Sequence, residues 1–231
     1  MSAVAERVVE PEWLDTLPPE DARAKRSRRD LARVNALMSN AGILSRALAD
    51  AGMRSPRSIV EIGAGDGAFA ARLAAALPRP GAGATFTLVD RAGAADAAAL
   101  ERIAALGWKT RVIVDDVFAW LDGAEPHDAI VANLFLHHFE SDALARMLTG
   151  IARRSRAFAA CEPRRSSVAL AGSRMLGAIG CNDVTRHDAV VSVRAGFRDG
   201  ELSRLWPRDL AWNLRERARG LFSHAFVAWK A

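Results

Sequence analysis

The sequence contains little cysteine: Cys161 and Cys181 are the two cysteines among 231 residues. Two isolated cysteines do not provide a disulfide framework, a C-x-x-C metal site or the three thiolates that hold an iron–sulfur cluster. We therefore expect neither radical chemistry nor structural zinc, and the sequence predicts no metal site.

Long apolar runs are also missing. No segment approaches the roughly 18 consecutive apolar residues that are needed to cross a bilayer. The first eleven residues carry acids where a signal peptide has a basic and then an apolar run. We expect a cytoplasmic protein without a membrane span.

Half of the residues are apolar, which is enough for one sizeable core in a chain of this length. The net charge is +5, and residues 23–29 carry much of the basic excess. A basic excess can indicate a nucleic acid or an anionic substrate. The alternative is a solvated helix face.

The pattern of apolar residues changes along the chain. Residues 20–38 have helical spacing and a second short helix is predicted near 43–51, so residues 1–52 are interpreted as a helical extension or lid. In the remaining domain, 53–231, short apolar runs alternate with helical segments. The predicted strands are 58–62, 86–89, 112–114, 129–132 and 157–161, and the predicted helical segments are 68–77, 94–106, 117–121 and 141–152. Repeated strand–helix units predict a doubly wound parallel sheet.

The end of the chain departs from this pattern. Residues 213–218 and 224–229 are strand-like and are joined by too few residues for a helix, so they predict an antiparallel hairpin. The predicted fold class is therefore α/β, with a seven-stranded, doubly wound, mostly parallel sheet, a C-terminal antiparallel hairpin and N-terminal helices. Residues 162–212 are interpreted as a substrate-side insertion with one short helix near 200–205.

A glycine loop follows the first predicted strand, with the sequence Glu61-Ile62-Gly63-Ala64-Gly65-Asp66-Gly67. Glycines here let backbone amides approach a ligand at the start of a helix. The spacing also fits a dinucleotide cofactor, so it does not identify the ligand by itself. Because Glu61 and Asp66 would repel a pyrophosphate at the helix N-terminus, the charges favour a cationic ligand.

The pattern E-x-G-x-G-x-G after a first strand resembles motif I of class I S-adenosylmethionine-dependent methyltransferases. The resemblance covers about residues 57–231 and implies S-adenosylmethionine as the cofactor. It implies that Glu61 orients the loop and the amine of the cofactor. The loop residues that it places against the cofactor are Gly63, Ala64, Gly65 and Gly67.

Acids also follow the second and third predicted strands. In the resembling family, an acid at the position of Asp90 takes the ribose hydroxyls, and an acid near Asp116 or Asp115 lies by the adenine amine. An isolated Asp is more often a helix N-cap, but acids at successive strand ends favour cofactor binding. The resemblance further implies cofactor contacts from Arg91, Val117, Asn133 and Leu134.

Two histidines, His137 and His138, follow the fourth predicted strand, outside the carboxyl end of the sheet where open α/β folds bind ligands. If the acceptor is a hydroxyl, a general base contributes about 10²–10⁴-fold, and histidine titrates closest to neutral pH. His138, His137 and His187 are the predicted catalytic candidates, although His137 also suits a structural role. Family members that methylate amino groups of nucleic acid bases or of glutamine resemble one another in an N-P-P-Y type segment here. Because Asn133 precedes leucine and phenylalanine in this sequence, that chemistry is disfavoured.

The predicted insertion contains arginines that suit carboxylates or other anionic oxygens. Arg164, Arg186 and Arg194 are therefore predicted to bind substrate, with an ion-paired surface loop as the alternative. The sequence thus predicts methyl transfer to a small-molecule acceptor, at an oxygen of an aromatic, polyketide or quinone-like metabolite. A quinone-type C-methyltransferase and an RNA methyltransferase stay as alternatives, although nucleic acid is not the expected partner. Monomer and homodimer both remain open.

Overall fold

The computed structural model describes residues 4–18, 20–208 and 211–230, without the side chains of residues 36 and 37. A seven-stranded sheet runs through the molecule. Its strands are β1 (Ser58–Ile62), β2 (Thr85–Asp90), β3 (Lys109–Val114), β4 (His127–Asn133), β5 (Ser155–Pro163), β6 (Trp212–Arg219) and β7 (Ser223–Lys230). They lie in the order β3-β2-β1-β4-β5-β7-β6. β1 to β5 are parallel, and β7 is antiparallel to both β5 and β6. The predicted fold class is confirmed.

Helices connect the strands and cover both faces of the sheet. They are α1 (Trp13–Thr16), α2 (Ala22–Leu37), α3 (Asn40–Asp50), α4 (Ala68–Ala76), α5 (Ala97–Ala105), α6 (Val117–Gly123), α7 (Ser141–Arg154), α8 (Ser167–Arg174), α9 (Asp183–Ala195) and α10 (Glu201–Leu205). Short 3-10 turns lie at Leu136–His138 and Met175–Ile179. Side-chain N-caps begin several helices, as local sequence chemistry favours: Asp21, Asp96, Asp116, Ser166 and Asn182 each accept a backbone amide of the following turn.

Two apolar layers hold the sheet between helices. Leu48, Leu73 and Phe86 belong to the layer on the α3, α4 and α5 side, whereas Met147 and Phe158 belong to the layer on the α6, α7 and α10 side. Central strands buried on both faces are continuously apolar, which is why the sequence showed short apolar runs without alternation. α3, which lies within the predicted extension 1–52, supplies part of this core, and the predicted domain boundary stays a prediction.

The segment 162–212 contains more helix than the sequence analysis predicted. The predicted helix near 200–205 corresponds to α10, but α8 and α9 were missed. α9 buries the polar side chains of Thr185 and Asp188, which pair with groups of the N-terminal region. Polar residues on a buried face obscure helical apolar periodicity, and so the pattern did not predict this helix.

The edge strand β3 exposes two apolar side chains. Val112 and Val114 of β3 are exposed, because the strand has one neighbour and α5 covers it incompletely.

Among the described residues, no helix combines the length and apolar character that spanning a membrane requires.

Candidate active site

The order of the strands reverses at β1, whose neighbours are β2 and β4. In an open α/β sheet, such a reversal leaves a crevice at the carboxyl ends of the two central strands, and ligands bind there. The glycine loop follows β1, Asp90 ends β2, and Asn133 ends β4. Three groups of predicted cofactor residues therefore meet at one edge of the sheet.

The three glycines of the loop adopt positive φ angles, 67° at Gly63, 53° at Gly65 and 76° at Gly67. The amides of Gly63 and Ala64 donate to the carbonyl of Val89 and so fix the loop to β2. A Cβ on Gly63 would overlap the ring of Phe135, whereas a Cβ on Gly65 would have no neighbour within 4 Å. The loop is packed on one side and open at Gly65.

Asp90 holds the glycine loop from the next strand. One carboxylate oxygen accepts the Gly65 amide at 2.8 Å, and the other accepts the Ala92 amide at 2.8 Å. Each carboxylate oxygen has a second lone pair, so Asp90 can still accept hydroxyl donors of a ligand. Arg91, the next residue, is exposed.

Glu61 lies in β1 with 1% of its surface exposed. Burial raises the pKa of its carboxyl well above the usual range, and the charge of Asp66 adds to this effect. Its Oε2 atom has no hydrogen-bond partner among the residues that the structure describes. Buried polar atoms in proteins are nearly always hydrogen-bonded, so this oxygen is suited to a donor supplied by a ligand.

The residues after β3 have mainly local contacts. Asp116 accepts the Phe118 amide at 2.9 Å as the N-cap of α6, and Val117 is buried in the core layer beneath that helix. Asp115 accepts the amide of Asp116 and lines a groove of about 360 Å³ on the α6 face. Capping thus accounts for one oxygen of Asp116, and its other oxygen remains available.

Asn133, at the end of β4, is tied to the N-terminal helices. Its side-chain oxygen accepts from Asn40 Nδ2 at 2.8 Å, and the oxygen of Asn40 accepts from Ser223 Oγ at 2.9 Å. The following residue, Leu134, has a φ of 53°, an angle that is rare outside glycine. Its amide donates to the carbonyl of Cys161, so β5 holds this strained residue in place.

We call the 3-10 turn Leu136–His138 the histidine turn. Glu162, at the end of β5, is fully buried beside it and accepts the amides of Phe135 and Leu136 at 3.1 and 3.0 Å. Glu162 Oε2 also bonds the ring of His137 through Nδ1 at 2.8 Å. One carboxylate therefore fixes both the backbone of the turn and the orientation of its first imidazole.

The two histidines of the turn have different environments. Burial lowers the pKa of His137, but the neighbouring carboxylates of Glu12 and Glu162 outweigh the effect of burial and raise this pKa to about 9. His138 is about one-third exposed, and its pKa is lowered by burial and by the charge of His137. The rings lie 4.2 Å apart. His138 is thus the more accessible imidazole of the turn.

Residues 4–16, which we call the N-terminal strap, lie across the histidine turn. Arg7 donates to the carbonyls of His137 and Phe139 at 3.0 and 2.8 Å. Glu12 accepts a short hydrogen bond from Ser192, and its Oε1 lies 3.5 Å from His137 Nε2. The strap therefore brings a carboxylate to the side of His137 that faces away from Glu162.

Comparison with known proteins identifies the domain that carries these residues. Residues 59–157, which include the glycine loop, Asp90 and the histidine turn, match a family model described as "Methyltransferase domain". This part of the chain is therefore similar to a methyltransferase domain. This match and the strand order confirm the class I methyltransferase architecture that the motif predicted. A search of curated protein sequences finds no significant match.

Solved structures resemble the whole methyltransferase fold at low identity. The plantazolicin methyltransferase BpumL, in complex with a triazolic desmethylplantazolicin analogue and S-adenosylhomocysteine, has a TM-score of 0.66 at 14% identity, covering 94% of this chain and 93% of that one. An O-methyltransferase family protein from Burkholderia thailandensis has a TM-score of 0.61 at 17% identity, covering 92% and 61%. Magnesium protoporphyrin IX methyltransferase from Synechocystis, with bound S-adenosylhomocysteine, has a TM-score of 0.54 at 15% identity, covering 94% and 91%. Their common feature with this chain is the fold.

The third histidine predicted as catalytic lies outside the histidine turn. His187, on α9, stacks on Trp13 of the strap with ring centroids 3.9 Å apart. Its Nδ1 atom is 2.9 Å from Asp188, which also accepts the amides of Trp13 and Leu14. These contacts place His187 at the junction of the strap and α9.

The structure does not bring the three predicted substrate-binding arginines together. Arg164 donates to the carbonyl of Gly220, Arg194 pairs with Glu10 at 3.2 Å, and Arg186 is exposed on α9. In contrast, the neighbouring Arg165 is buried and pairs with Glu201. A substrate role of the three predicted arginines stays a prediction.

Two acidic residues of the candidate active site were missed by the sequence analysis. Glu162 offered a signal, because it ends a strand at the same sheet edge as Asp90 and Asn133. Glu12 offered none, since the strap that carries it has no motif and reaches the histidine turn through tertiary contacts alone.

Proposed function

We propose that this protein is an S-adenosylmethionine-dependent methyltransferase that methylates an oxygen of a small aromatic, polyketide or quinone-like molecule. One observation carries the proposal: within the methyltransferase domain, the buried and unpartnered Oε2 of Glu61 lies at the glycine loop that Asp90 holds. This arrangement provides acceptors for a cationic, hydroxyl-bearing ligand at the carboxyl end of β1.

The residues at this edge fit the proposed cofactor. S-adenosylmethionine supplies an electrophilic methyl group on a positively charged sulfur. Glu61 would receive its ammonium group, Asp90 its ribose hydroxyls, and Asp116 its adenine amine. The open space at Gly65 leaves the loop backbone accessible, and the solved neighbours that contain S-adenosylhomocysteine support the same interpretation.

The histidine turn borders the proposed acceptor site. Methylation of a neutral hydroxyl releases one proton, so a group that accepts a proton near the acceptor assists the reaction. His137 is buried and oriented by Glu162, whereas His187 is engaged by Trp13 and Asp188. His138 has the more accessible ring of the turn and is therefore the residue through which direct proton transfer would occur.

The RNA methyltransferase alternative receives little support from the basic segment 23–29. Arg23 lies 3.8 Å from Asp183, Lys25 pairs with Glu20, and Arg26 donates to the carbonyl of Gly180. These contacts partly neutralise the segment and direct it toward the protein.

The quinone-type C-methyltransferase needs no proton acceptor at His138. The cytoplasmic location stays a prediction, and monomer and homodimer both remain open.

Two assays test the proposal. Calorimetric titration with S-adenosylmethionine, S-adenosylhomocysteine and NADH should give micromolar binding of the two adenosyl ligands and none of NADH. Incubation with methyl-labelled S-adenosylmethionine and a panel of phenols, quinols and hydroxy acids, followed by mass spectrometry, should give an O-methylated product. Binding of NADH alone would overturn the cofactor assignment, and a product labelled on carbon would replace the oxygen acceptor.

A further inference from the structure

We propose that Glu12, His137 and His138 together bind one divalent transition-metal ion beside the acceptor site. Each residue offers one ligand atom, and these three atoms all lie within 4.8 Å of one another. The low cysteine content disfavours metal sites built from thiolates, but it does not disfavour sites built from imidazole and carboxylate ligands. Binding of the ion is independent of the proposed function, whereas its catalytic role rests on it.

The distance between His137 and Glu12 is the first argument. His137 Nε2 and Glu12 Oε1 are 3.5 Å apart, which exceeds the 2.7–3.2 Å of an ordinary N–H···O hydrogen bond. Tetrahedral metal–ligand bonds of about 2.0–2.2 Å place two ligand atoms roughly 3.3–3.6 Å apart. The gap therefore matches two ligands of one ion better than a direct hydrogen bond.

Glu162 supplies the second argument. A metal-binding histidine usually gives its other ring nitrogen to a carboxylate, which fixes the tautomer and the direction of the ring. Glu162 bonds His137 Nδ1 at 2.8 Å, is fully buried, and is itself anchored by two amides of the turn. His137 Nε2 is thereby presented toward Glu12, as a ligand atom requires.

Further donors and the ligand types indicate which ions fit. Asp15 Oδ2 lies 4.0 Å from His138 Nδ1 and is mostly exposed, so it can approach as a fourth ligand or leave that position open. Two imidazoles with one or two carboxylates favour Zn²⁺, Mn²⁺ or Fe²⁺ over Mg²⁺ and Ca²⁺. Because Glu12 and Asp15 belong to the strap, the ion would also join the strap to the end of β4.

The ion would change how an acceptor hydroxyl is activated. Direct transfer to His138 describes the ion-free protein, because in the ion-bound protein this imidazole is a ligand. A hydroxyl at an open coordination position ionises more readily, and its proton leaves to solvent while the oxygen becomes the nucleophile. The ion is neither oxidised nor reduced.

Metal titration of the full chain, without a polyhistidine tag and after removal of metal by chelator, tests the inference. We expect one equivalent of Zn²⁺ or Co²⁺ to bind by calorimetry, Co²⁺ to give visible absorption typical of nitrogen and oxygen ligands, and Mg²⁺ not to bind. Glu12→Gln and His138→Gln should each weaken Zn²⁺ binding by at least about tenfold. His127→Gln, which changes a histidine at the start of β4 outside the cluster, should bind as the wild type does.

Titration of each variant with S-adenosylhomocysteine separates this inference from the proposed function. Glu12→Gln should leave that affinity unchanged, which also shows that the variant is folded. The inference is overturned if no stoichiometric metal binding is found, or if neither Glu12→Gln nor His138→Gln weakens the binding. In that case His137 is held between its two carboxylates by a proton and not by a metal ion. If the wild type binds the metal ion but does not bind S-adenosylhomocysteine, the proposed function is overturned instead.

Discussion

At the residue scale, Gly63 and Gly65 both have a positive φ angle, but their surroundings differ. Comparing the two positions therefore distinguishes the cost of backbone strain from the cost of packing. A side chain at either position is strained by about 1–2 kcal/mol. At Gly63 a Cβ would additionally overlap the ring of Phe135, whereas at Gly65 it would meet open space. The first glycine is therefore needed for the fold, and the second for access to the loop.

We predict that Gly63→Ala lowers the free energy of unfolding by about 1–3 kcal/mol more than Gly65→Ala does, because only the former adds overpacking. Denaturant unfolding of both variants measures the difference. Gly65→Ala serves as the matched control for strain. Equal destabilisation of the two variants would show that Phe135 moves aside without cost.

Asp90 gives a second prediction at this scale. Asp90→Ala removes the acceptor of the Gly65 amide and the proposed acceptor of the ribose hydroxyls. Hydrogen bonds to a charged group contribute about 1.5–3 kcal/mol, so affinity for S-adenosylhomocysteine should fall by roughly tenfold to one-hundredfold. Calorimetry measures this change, with Asp142→Ala, an exposed acid at the start of α7, as the control. Unchanged affinity in Asp90→Ala would remove Asp90 from the cofactor site.

At the scale of elements, α1 depends on α9 more than on its own sequence. α1 has four residues, too few for a helix that is stable alone. The carboxylate of Asp188 accepts the Trp13 and Leu14 amides at 2.8 and 3.0 Å, so α9 supplies the cap that begins α1. α9 therefore holds the strap over the histidine turn.

We predict that Asp188→Ala releases α1. Because two amides lose a charged acceptor, hydrogen exchange at Trp13 and Leu14 should become at least roughly tenfold faster. Asp183→Ala removes an exposed acid from the first turn of the same helix and should leave this exchange unchanged. If exchange of the strap stays equally slow in Asp188→Ala, its other contacts, such as those of Arg7 and Glu12, hold it without Asp188.

At the scale of the whole molecule, one carboxylate links α10 to the C-terminal hairpin. Glu216 of β6 accepts the Leu202 and Ser203 amides and lies 2.8 Å from the His224 ring of β7. Burial raises the pKa of Glu216, but the bonds with His224 and Ser203 outweigh it, so the net pKa is lowered. The charged form therefore stabilises the packing of α10 against the C-terminal hairpin.

This shift predicts a pH dependence of stability. Because the pKa of Glu216 is lower in the folded than in the unfolded protein, its contribution is present above the unfolded value of about 4.3 and is lost as pH falls through the folded value. Glu216→Gln should thus be less stable than the wild type at neutral pH, and the difference should shrink on acidification below about pH 5. Denaturant unfolding at several pH values measures this trend. A constant difference across that range would contradict it.

Local sequence determined much of this fold. Apolar runs that are buried on both faces, capping residues and glycines before a helix act within a few positions, so β1 to β5, the hairpin and the glycine loop were predictable. The positions of Asp90 and Asn133 followed as well, because the carboxyl ends of parallel strands share one sheet edge. The unpartnered oxygen of Glu61 was not predictable, since it depends on how α4 packs against β1.

The sequence by itself determined the sheet, its glycine loop and the acids that end its strands, since each depends on neighbouring residues and on strand direction. Tertiary structure alone decided that Glu12 and Glu162 flank His137, that α9 caps the strap, and that Arg165 is buried while Arg164 is only half-buried. The physical reason is that these contacts join segments far apart in the chain. Such pairings follow from packing and charge in three dimensions, and no local pattern encodes them.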